Sequence, residues 1–115
     1  MDASSERAAR AQTIFRAGNE ALARAAGGRD GVIPFMCECA DERCLADLAL
    51  PHGEYEEVRA HARRFVVVSG HEATGGGDVR IVERRDGYSV IEKQAEAGDL
   101  AATTDPRGGN RREGS

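Results

Sequence analysis

The sequence predicts a small α+β protein with an N-terminal helix, a small and mostly antiparallel sheet of two hairpins plus a central strand, and one short helix. Three observations predict this class. A helical period runs through residues 5–26, and short β-branched runs alternate with turn residues between 32 and 93. The stretch from 94 onwards has no apolar period. A chain of 115 residues has room for about one domain.

The charge balance of the chain argues against nucleic acid as a partner. The net charge is −4, from 16 basic and 20 acidic side chains, whereas domains that coat nucleic acid usually carry a basic excess. The opening stretch MDASSERAARAQ has no apolar segment of the kind that secretory signals contain. No run approaches the roughly 18 apolar residues of a membrane span. We therefore expect a cytoplasmic protein that binds neither nucleic acid nor membrane.

The N-terminal region, residues 1–28, is predicted to be an amphipathic helix over 5–26. Ser4 or Ser5 is the expected N-cap, and Gly27-Gly28 the expected stop. The predicted apolar stripe consists of Ala11, Ile14, Phe15, Gly18, Leu22 and Ala25. Because this stripe is thin and rich in alanine, the helix must lie against its own domain or pair with a second chain.

Residues 29–94 are predicted to form the α+β domain. A hairpin is expected over 32–50, with the polar ADER stretch as its turn. A short helix follows in GEYEEVRAHA, with Pro51 just ahead of it or in its first turn. The run RFVVVS, residues 64–69, is typical of a strand that is buried on both faces.

A second hairpin is predicted in VRIVERRDGYSVIEK. A two-residue Asp86-Gly87 turn opposes Arg80 to Lys93 and Glu83 to Val90. A three-residue loop over 85–87 instead opposes Val82 to Val90, Ile81 to Ile91 and Arg80 to Glu92. We favour the second register because it pairs apolar with apolar side chains and opposite charges with each other.

The C-terminal residues 95–115 are predicted to be a disordered tail, since they lack aromatic residues and any apolar period. Arg107, Arg111 and Arg112 lie in this tail. A solubilising tail is the favoured interpretation, and contact of these arginines with an acidic partner is the alternative.

All three cysteines lie within eight positions, CECADERC, residues 37–44. Clustered cysteines in a reducing compartment favour metal binding or redox chemistry over a structural disulfide. On a strand, Cys37 and Cys39 would leave the same face about 6.6 Å apart. Cys44 would begin the returning strand opposite Cys39. The three sulfurs would then converge closely enough for tetrahedral zinc, which binds sulfur at about 2.3 Å.

A fourth ligand is expected from histidine. His52 and His61 lie in the predicted helical stretch, whereas His71 follows the buried strand at the start of a glycine-rich loop. We therefore predict a metal site made of Cys37, Cys39, Cys44 and His71, with Glu72 as a candidate partner of the imidazole N–H. Two alternatives stay open, namely redox-active thiols and inert core thiols. Glu38 between two cysteines and the polar loop argue against inert thiols.

Four segments in order, F.CEC....C, EYE.VR, RF.V..GHE and V.IVER.DGY.VIEK, give this chain a family resemblance. Residues 12–93 resemble a family of small uncharacterised proteins of high-GC bacteria, whose members also carry an NE pair matched here by Asn19-Glu20. The resemblance implies that the three cysteines and His71 belong together. The chain departs from the family at Pro51, where relatives often have a threonine cap. The family has no assigned activity.

The function predicted from these residues is that of a non-catalytic zinc domain, with a structural Zn²⁺ at a Cys3His site and another protein as partner. Four protein ligands leave no open position for an activated water. The alternatives are a zinc/thiol redox sensor, and a zinc hydrolase or deaminase that uses Glu72 as general acid and base, although its spacing and order do not match the deaminase signature. A homodimer through the N-terminal helix is a further expectation.

Nucleic-acid binding would draw on a set of six arginines. They are Arg59, Arg63, Arg64, Arg80, Arg84 and Arg85. Because many lie close to glutamates in the sequence, we interpret them as paired surface charge.

Overall fold

A computed structural model describes residues 3–26, 31–41, 43–72 and 79–107. Within these ranges the elements in chain order are α1 (Ala3–Ala26), β1 (Val32–Met36), β2 (Asp47–Pro51), α2 (His52–Arg59), β3 (Arg64–Val68), β4 (Val79–Arg84), β5 (Tyr88–Lys93) and α3 (Ala95–Thr103). The predicted α+β class is confirmed. None of the helices in this part of the chain combines the length and apolarity that crossing a bilayer requires.

The strands form two antiparallel sheets. One sheet pairs β1 with β2, and the other has the order β3-β5-β4. The predicted central strand β3 therefore lies at a sheet edge, and β5 occupies the centre. The burial predicted for β3 is confirmed, because Phe65, Val66 and Val67 are all buried.

The β4–β5 hairpin combines the two registers considered from the sequence. Near the turn, Glu83 opposes Val90 and Arg85 N–H donates to the Tyr88 carbonyl at 2.8 Å, as the two-residue turn requires. Farther away, Arg80 opposes Glu92, as in the favoured register. A β-bulge at Val82 absorbs the one-residue difference. The favoured three-residue loop and the prediction that Val82 opposes Val90 are wrong. Gly87 in the turn has φ +87°, a conformation that favours glycine.

The hydrophobic core lies between the two sheets and α2. Its largest members are Phe35, Leu50, Tyr55, Phe65 and Ile91, all fully buried. The rings of Phe35 and Tyr55 are stacked with centroids 4.2 Å apart. This stack packs α2 against β1, next to the loop that carries the cysteines.

The buried face of α1 is largely polar, which the apolar stripe did not predict. Ile14 and Leu22 are 68% and 36% exposed, while Gln12, Arg16 and Asn19 are buried. Arg16 donates to the carbonyls of Ala62 and Ala101, both at 2.7 Å, and lies over the Phe65 ring. The face is polar because it meets backbone carbonyls that require donors.

The predicted ends of α1 have different outcomes. The helix begins at Ala3, so Ser4 and Ser5 lie within it and the capping prediction is wrong. Gly27 and Gly28 lie outside the described residues. The helix contacts β1 and α3, so it docks on its own chain.

The predicted disordered tail is wrong for residues 95–107, which include α3 and the turn after it. Small side chains replace an apolar stripe here, and those of Ala97, Ala101 and Ala102 are buried. At Gly98 an added Cβ would lie 2.5 Å from the Lys93 carbonyl oxygen, so the backbone approaches β5 as closely as glycine allows. Residues 108–115, with Arg111 and Arg112, lie outside the described part of the chain.

Candidate metal centre

The cysteines lie in the connection between β1 and β2. The strand register ends with Met36 opposite Asp47, and a hydrogen bond from Cys37 N–H to the Ala46 carbonyl (3.1 Å) extends the ladder by one step. The strand β1 ends at Met36, so the prediction that Cys37 and Cys39 lie on a strand is wrong, whereas the observed register is the predicted one, which continues to Cys39 opposite Cys44. Pairing is broken at Glu38, whose N–H donates to the Val66 carbonyl of β3 at 2.8 Å. That bond turns the cysteine loop towards β3.

His71 reaches the same place from the end of β3. Gly70 has φ +98°, and His71 N–H donates to the Val68 carbonyl at 2.9 Å, which closes a tight turn directly after the strand. A glycine is required at position 70 because other residues rarely adopt this conformation. The turn brings the imidazole back over the strand end and towards the sulfurs.

The structure brings all four predicted ligands together. The ligand atoms of Cys37, Cys39, Cys44 and His71 lie within 4.8 Å of one another. His71 Nδ1 is 3.6 Å from the Sγ atoms of both Cys37 and Cys44. A tetrahedral zinc with ordinary bond lengths separates nitrogen from sulfur by about 3.6 Å. Neither His52 nor His61 belongs to the cluster, and His52 Nε2 lies 3.6 Å from the Glu56 carboxylate.

A backbone amide of β3 points at one of the sulfurs. Val68 N–H donates to Cys37 Sγ at 3.2 Å. Burial raises the pKa of the Cys37 thiol to about 12, and the Val68 hydrogen bond counters part of that rise. Burial also raises the pKa of the Cys39 thiol. Because a metal ligand must be a thiolate, a bound cation would have to displace both of these protons.

The four side chains differ in solvent access. Cys37 and Cys39 are 2% and 1% exposed, whereas Cys44 and His71 are half-buried. One side of the cluster therefore faces the interior and the other faces solvent, which gives an ion a route of entry.

The burial of Glu38, next to the candidate ligands, was not predicted from the sequence. From the sequence, the charge of Glu38 argued against inert core thiols, but the Glu38 side chain is itself fully buried. Its Oε2 accepts hydrogen bonds from Asn19 Nδ2 (2.8 Å) and Tyr55 OH (2.9 Å), and its Oε1 accepts one from Val66 N–H (3.0 Å). Burial raises the pKa of the Glu38 carboxyl, and these donors and the Arg59 charge oppose the rise. The NE pair of α1 was the available signal, since Asn19 contacts this carboxylate.

Glu72 is engaged by the β4–β5 hairpin. Its carboxylate accepts hydrogen bonds from Ser89 Oγ (2.6 Å) and from Gly70 N–H (3.0 Å), and lies 3.5 Å from Arg84 Nη1. The Ser89 hydrogen bond is the main cause that lowers the pKa of this carboxyl. These contacts fasten the turn before His71 to the hairpin, which is a different role from a partner of the imidazole or a general base.

The six arginines considered for nucleic-acid binding all pair with carboxylates of the chain itself. Their partners are Glu20 and Asp105 for Arg59, Asp99 for Arg63, Glu92 for Arg64 and Arg80, Glu72 for Arg84, and Glu54 and Glu83 for Arg85. Arg59 is also fully buried. These contacts agree with the interpretation of the set as paired charge.

Comparison with models of known protein families, with curated proteins and with solved structures found no match for this chain. The family resemblance noted from the sequence therefore stays a prediction, and function has to be inferred from the chemistry of the site.

Proposed function

We propose that this protein is a small non-catalytic zinc-binding module in which Cys37, Cys39, Cys44 and His71 hold a structural Zn²⁺. The observation that supports it is the approach of four ligand atoms to within 4.8 Å of one another. Thiolate and imidazole ligands in a set of four favour zinc over the harder cations, which prefer oxygen. Because four protein ligands complete a tetrahedron, no position remains for a substrate or an activated water.

The metal would connect the two sheets. Three ligands belong to the loop between β1 and β2, and the fourth follows β3 of the other sheet. In a domain of this size, where a hydrophobic core alone is marginal, metal binding contributes folding free energy directly. We assign the protein an interaction or regulatory role on this basis.

The outer face of α1 is the surface we propose for a protein partner. An open groove of about 470 Å³ lies along it, lined by Arg7, Arg10, Ala11, Ile14 and Phe15. An apolar segment that carries carboxylates would complement these residues. Sedimentation of the purified chain tests whether the groove binds a different protein or a second copy of this chain. A monomer would support a different protein. A dimer that Ile14→Arg disrupts would identify a second copy of this chain as the partner.

The metal is tested by quantifying zinc in freshly reduced, purified protein, where we expect one zinc per chain. Cys44→Ser should lower both the zinc content and the melting temperature. Leu45→Ser is the matched control, because Leu45 is adjacent but 96% exposed, and it should change neither. Protein that folds and contains no zinc under these conditions would overturn the proposal.

A redox-sensing role is the second candidate, and the exposure of Cys44 favours it. Hydrogen peroxide would transfer one oxygen atom to the Cys44 thiolate, giving a sulfenic acid and hydroxide. Attack by the neighbouring Cys39 thiolate would form the S–S bond and release that oxygen as hydroxide. Two thiolates thus lose two electrons to the peroxide, and zinc dissociates because two of its ligands are gone.

The redox role is tested by adding peroxide to the zinc-loaded protein while a chelating dye reports free zinc. We expect zinc release together with a disulfide that contains Cys44. Cleavage after Glu38 and after Arg43 separates the three cysteines into different peptides, so mass spectrometry identifies the pair. Retention of zinc at peroxide levels that oxidise free cysteine would exclude sensing and leave the structural role.

A further inference from the structure

A buried carboxylate sits between two of the metal ligands. Glu38 is one peptide bond from Cys37 and one from Cys39. Both of its carboxylate oxygens accept hydrogen bonds, which come from three elements, namely Asn19 of α1, Tyr55 of α2 and Val66 of β3. The side chain is therefore held at one position in the core.

The backbone of Glu38 is held as well. Its N–H donates to the Val66 carbonyl at 2.8 Å, and its own carbonyl accepts from Gln12 Nε2 at 3.2 Å. Side chain and main chain are thus fixed between α1 and β3. Since the two cysteines flank this residue, its fixed position also constrains the directions in which their Cα–Cβ bonds leave the loop.

The same loop provides the docking surface for α1. Asn19 Oδ1 accepts from Met36 N–H and Asn19 Nδ2 donates to the Met36 carbonyl, both at 2.8 Å. Asn19 Nδ2 also donates to Glu38. Asn19 and Glu38 are buried and Met36 is half-buried, so undocking α1 would break three hydrogen bonds between the helix and the loop, which is costly.

We propose that Glu38 is a positioning residue for the metal ligands and that, through Asn19, it makes metal binding and the docking of α1 one cooperative event. This inference rests on the proposed zinc site. Loss of a group that orients metal ligands typically costs about 10–100-fold in metal affinity, and we take this range as the upper bound for Glu38, which acts on the cysteines through the backbone. Coupling of this kind is reciprocal, so bound metal must favour the docked helix as much as the docked helix favours metal.

Glu38→Gln tests the positioning role. The amide cannot accept at both ends, so either the Val66 N–H or the pair formed by Asn19 and Tyr55 meets an NH2 group. We expect zinc affinity, measured by competition with a chelator, to fall by up to about 10–100-fold. Asp105→Asn is the matched control, because Asp105 is also a buried carboxylate but bonds Arg59 at the end of α2. It should lower stability and leave zinc affinity unchanged.

Hydrogen exchange tests the coupling to α1. In the wild-type protein we expect amides around Asn19 to exchange faster after zinc is chelated. The Asn19 side chain touches none of the proposed ligand atoms in the described contacts. Asn19→Ala should nevertheless lower zinc affinity, as Glu38→Gln does. This second variant also serves if Glu38→Gln does not fold.

The outcomes separate the two proposals. Wild-type protein that binds no zinc refutes the metal site itself. Wild-type protein that binds zinc, with Glu38→Gln and Asn19→Ala binding it equally well, refutes the positioning role while the site stands. An equal loss of affinity in Asp105→Asn would also refute it, because the effect would then reflect general destabilisation.

Discussion

The candidate metal centre and the ion-pair cluster at the end of α2 differ in the source of the charge that each requires. We define the ion-pair cluster as Arg59 and Arg107 with Glu20, Glu56 and Asp105. At the candidate metal centre three thiols and an imidazole converge, and under the proposed function a cation from solution holds their deprotonated forms together. In the ion-pair cluster the chain supplies both signs of charge itself.

The ion-pair cluster fastens the C-terminal segment. Arg59 Nε lies 3.2 Å from Glu20 of α1, and Arg59 Nη2 pairs with Asp105 just after α3. Arg107 binds Glu56 with two hydrogen bonds of 2.8 and 2.7 Å and also pairs with Glu20. These contacts join α1, α2 and the end of the described chain without any external ligand.

Under the proposed function, the stability of the Cys3His region depends on the supply of metal, and the stability of the ion-pair cluster does not. Buried ion pairs are screened little by salt and are unaffected by zinc concentration. A metal centre stabilises by mass action, in proportion to the logarithm of free metal above the dissociation constant. The contrast is tested by variants and conditions that act on one region at a time.

The largest effect is expected from Arg59→Met. Removal of this buried guanidinium leaves Glu20 and Asp105 without their central partner, and breaking a buried pair from one side typically costs about 3–5 kcal/mol. Urea denaturation in saturating zinc measures the change in the free energy of unfolding. Arg63→Met is the control, since its pair with Asp99 is exposed and should contribute at most about 1 kcal/mol. Equal losses in the two variants would contradict the distinction.

A smaller effect is expected from zinc itself. Raising free zinc from a negligible level to 100 times the dissociation constant should stabilise the wild-type protein by about 2.7 kcal/mol. The gain should vanish in His71→Ala and persist in His52→Ala, because His52 lies outside the cluster. Thermal unfolding at increasing zinc concentrations measures this gain in stability. A melting temperature independent of zinc in wild-type protein would contradict the metal centre.

The smallest effect is expected from acid at the ion-pair cluster. The Arg107 hydrogen bonds lower the pKa of Glu56 below its ordinary value. The stabilisation from this pair is therefore complete above the unfolded-state pKa and is lost as pH falls through the lower, folded-state value. Because the pair is partly exposed, we expect less than about 1 kcal/mol.

Glu56→Gln should make the acid limb of the stability curve shallower, and Glu57→Gln, at an exposed neighbouring position, should not. Urea denaturation at several acid pH values measures the slope. An unchanged slope in Glu56→Gln would show that the pair does not contribute to folding.

The features that were predictable from the sequence follow from local patterns. The apolar run of β3, the turn at Gly87 and the helix after Pro51 are set by neighbouring residues, and the approach of His71 follows from its place at a strand end. Cysteine clustering was enough to propose the ligand set.

The features that sequence reasoning missed depend on what each segment meets in space. The polar face of α1 is buried because carbonyls and Glu38 lie opposite it, and no hydrophobic period reports that. The helix α3 is stabilised by small side chains and by the ion pairs of the residues that follow it. The pairing of β1 with β2 ends before Cys39 because Glu38 bonds to β3, a partner distant in sequence.

The bulge at Val82 has a consequence for how molecules of this protein meet one another. The strand β4 lies at the edge of its sheet, and a regular edge strand is a template on which another chain can add a strand. The extra residue bends β4 and breaks the even spacing of its outward N–H and C=O groups. Deletion of Val82 would straighten that edge and so favour sheet growth from one molecule to the next, the first step towards fibrils.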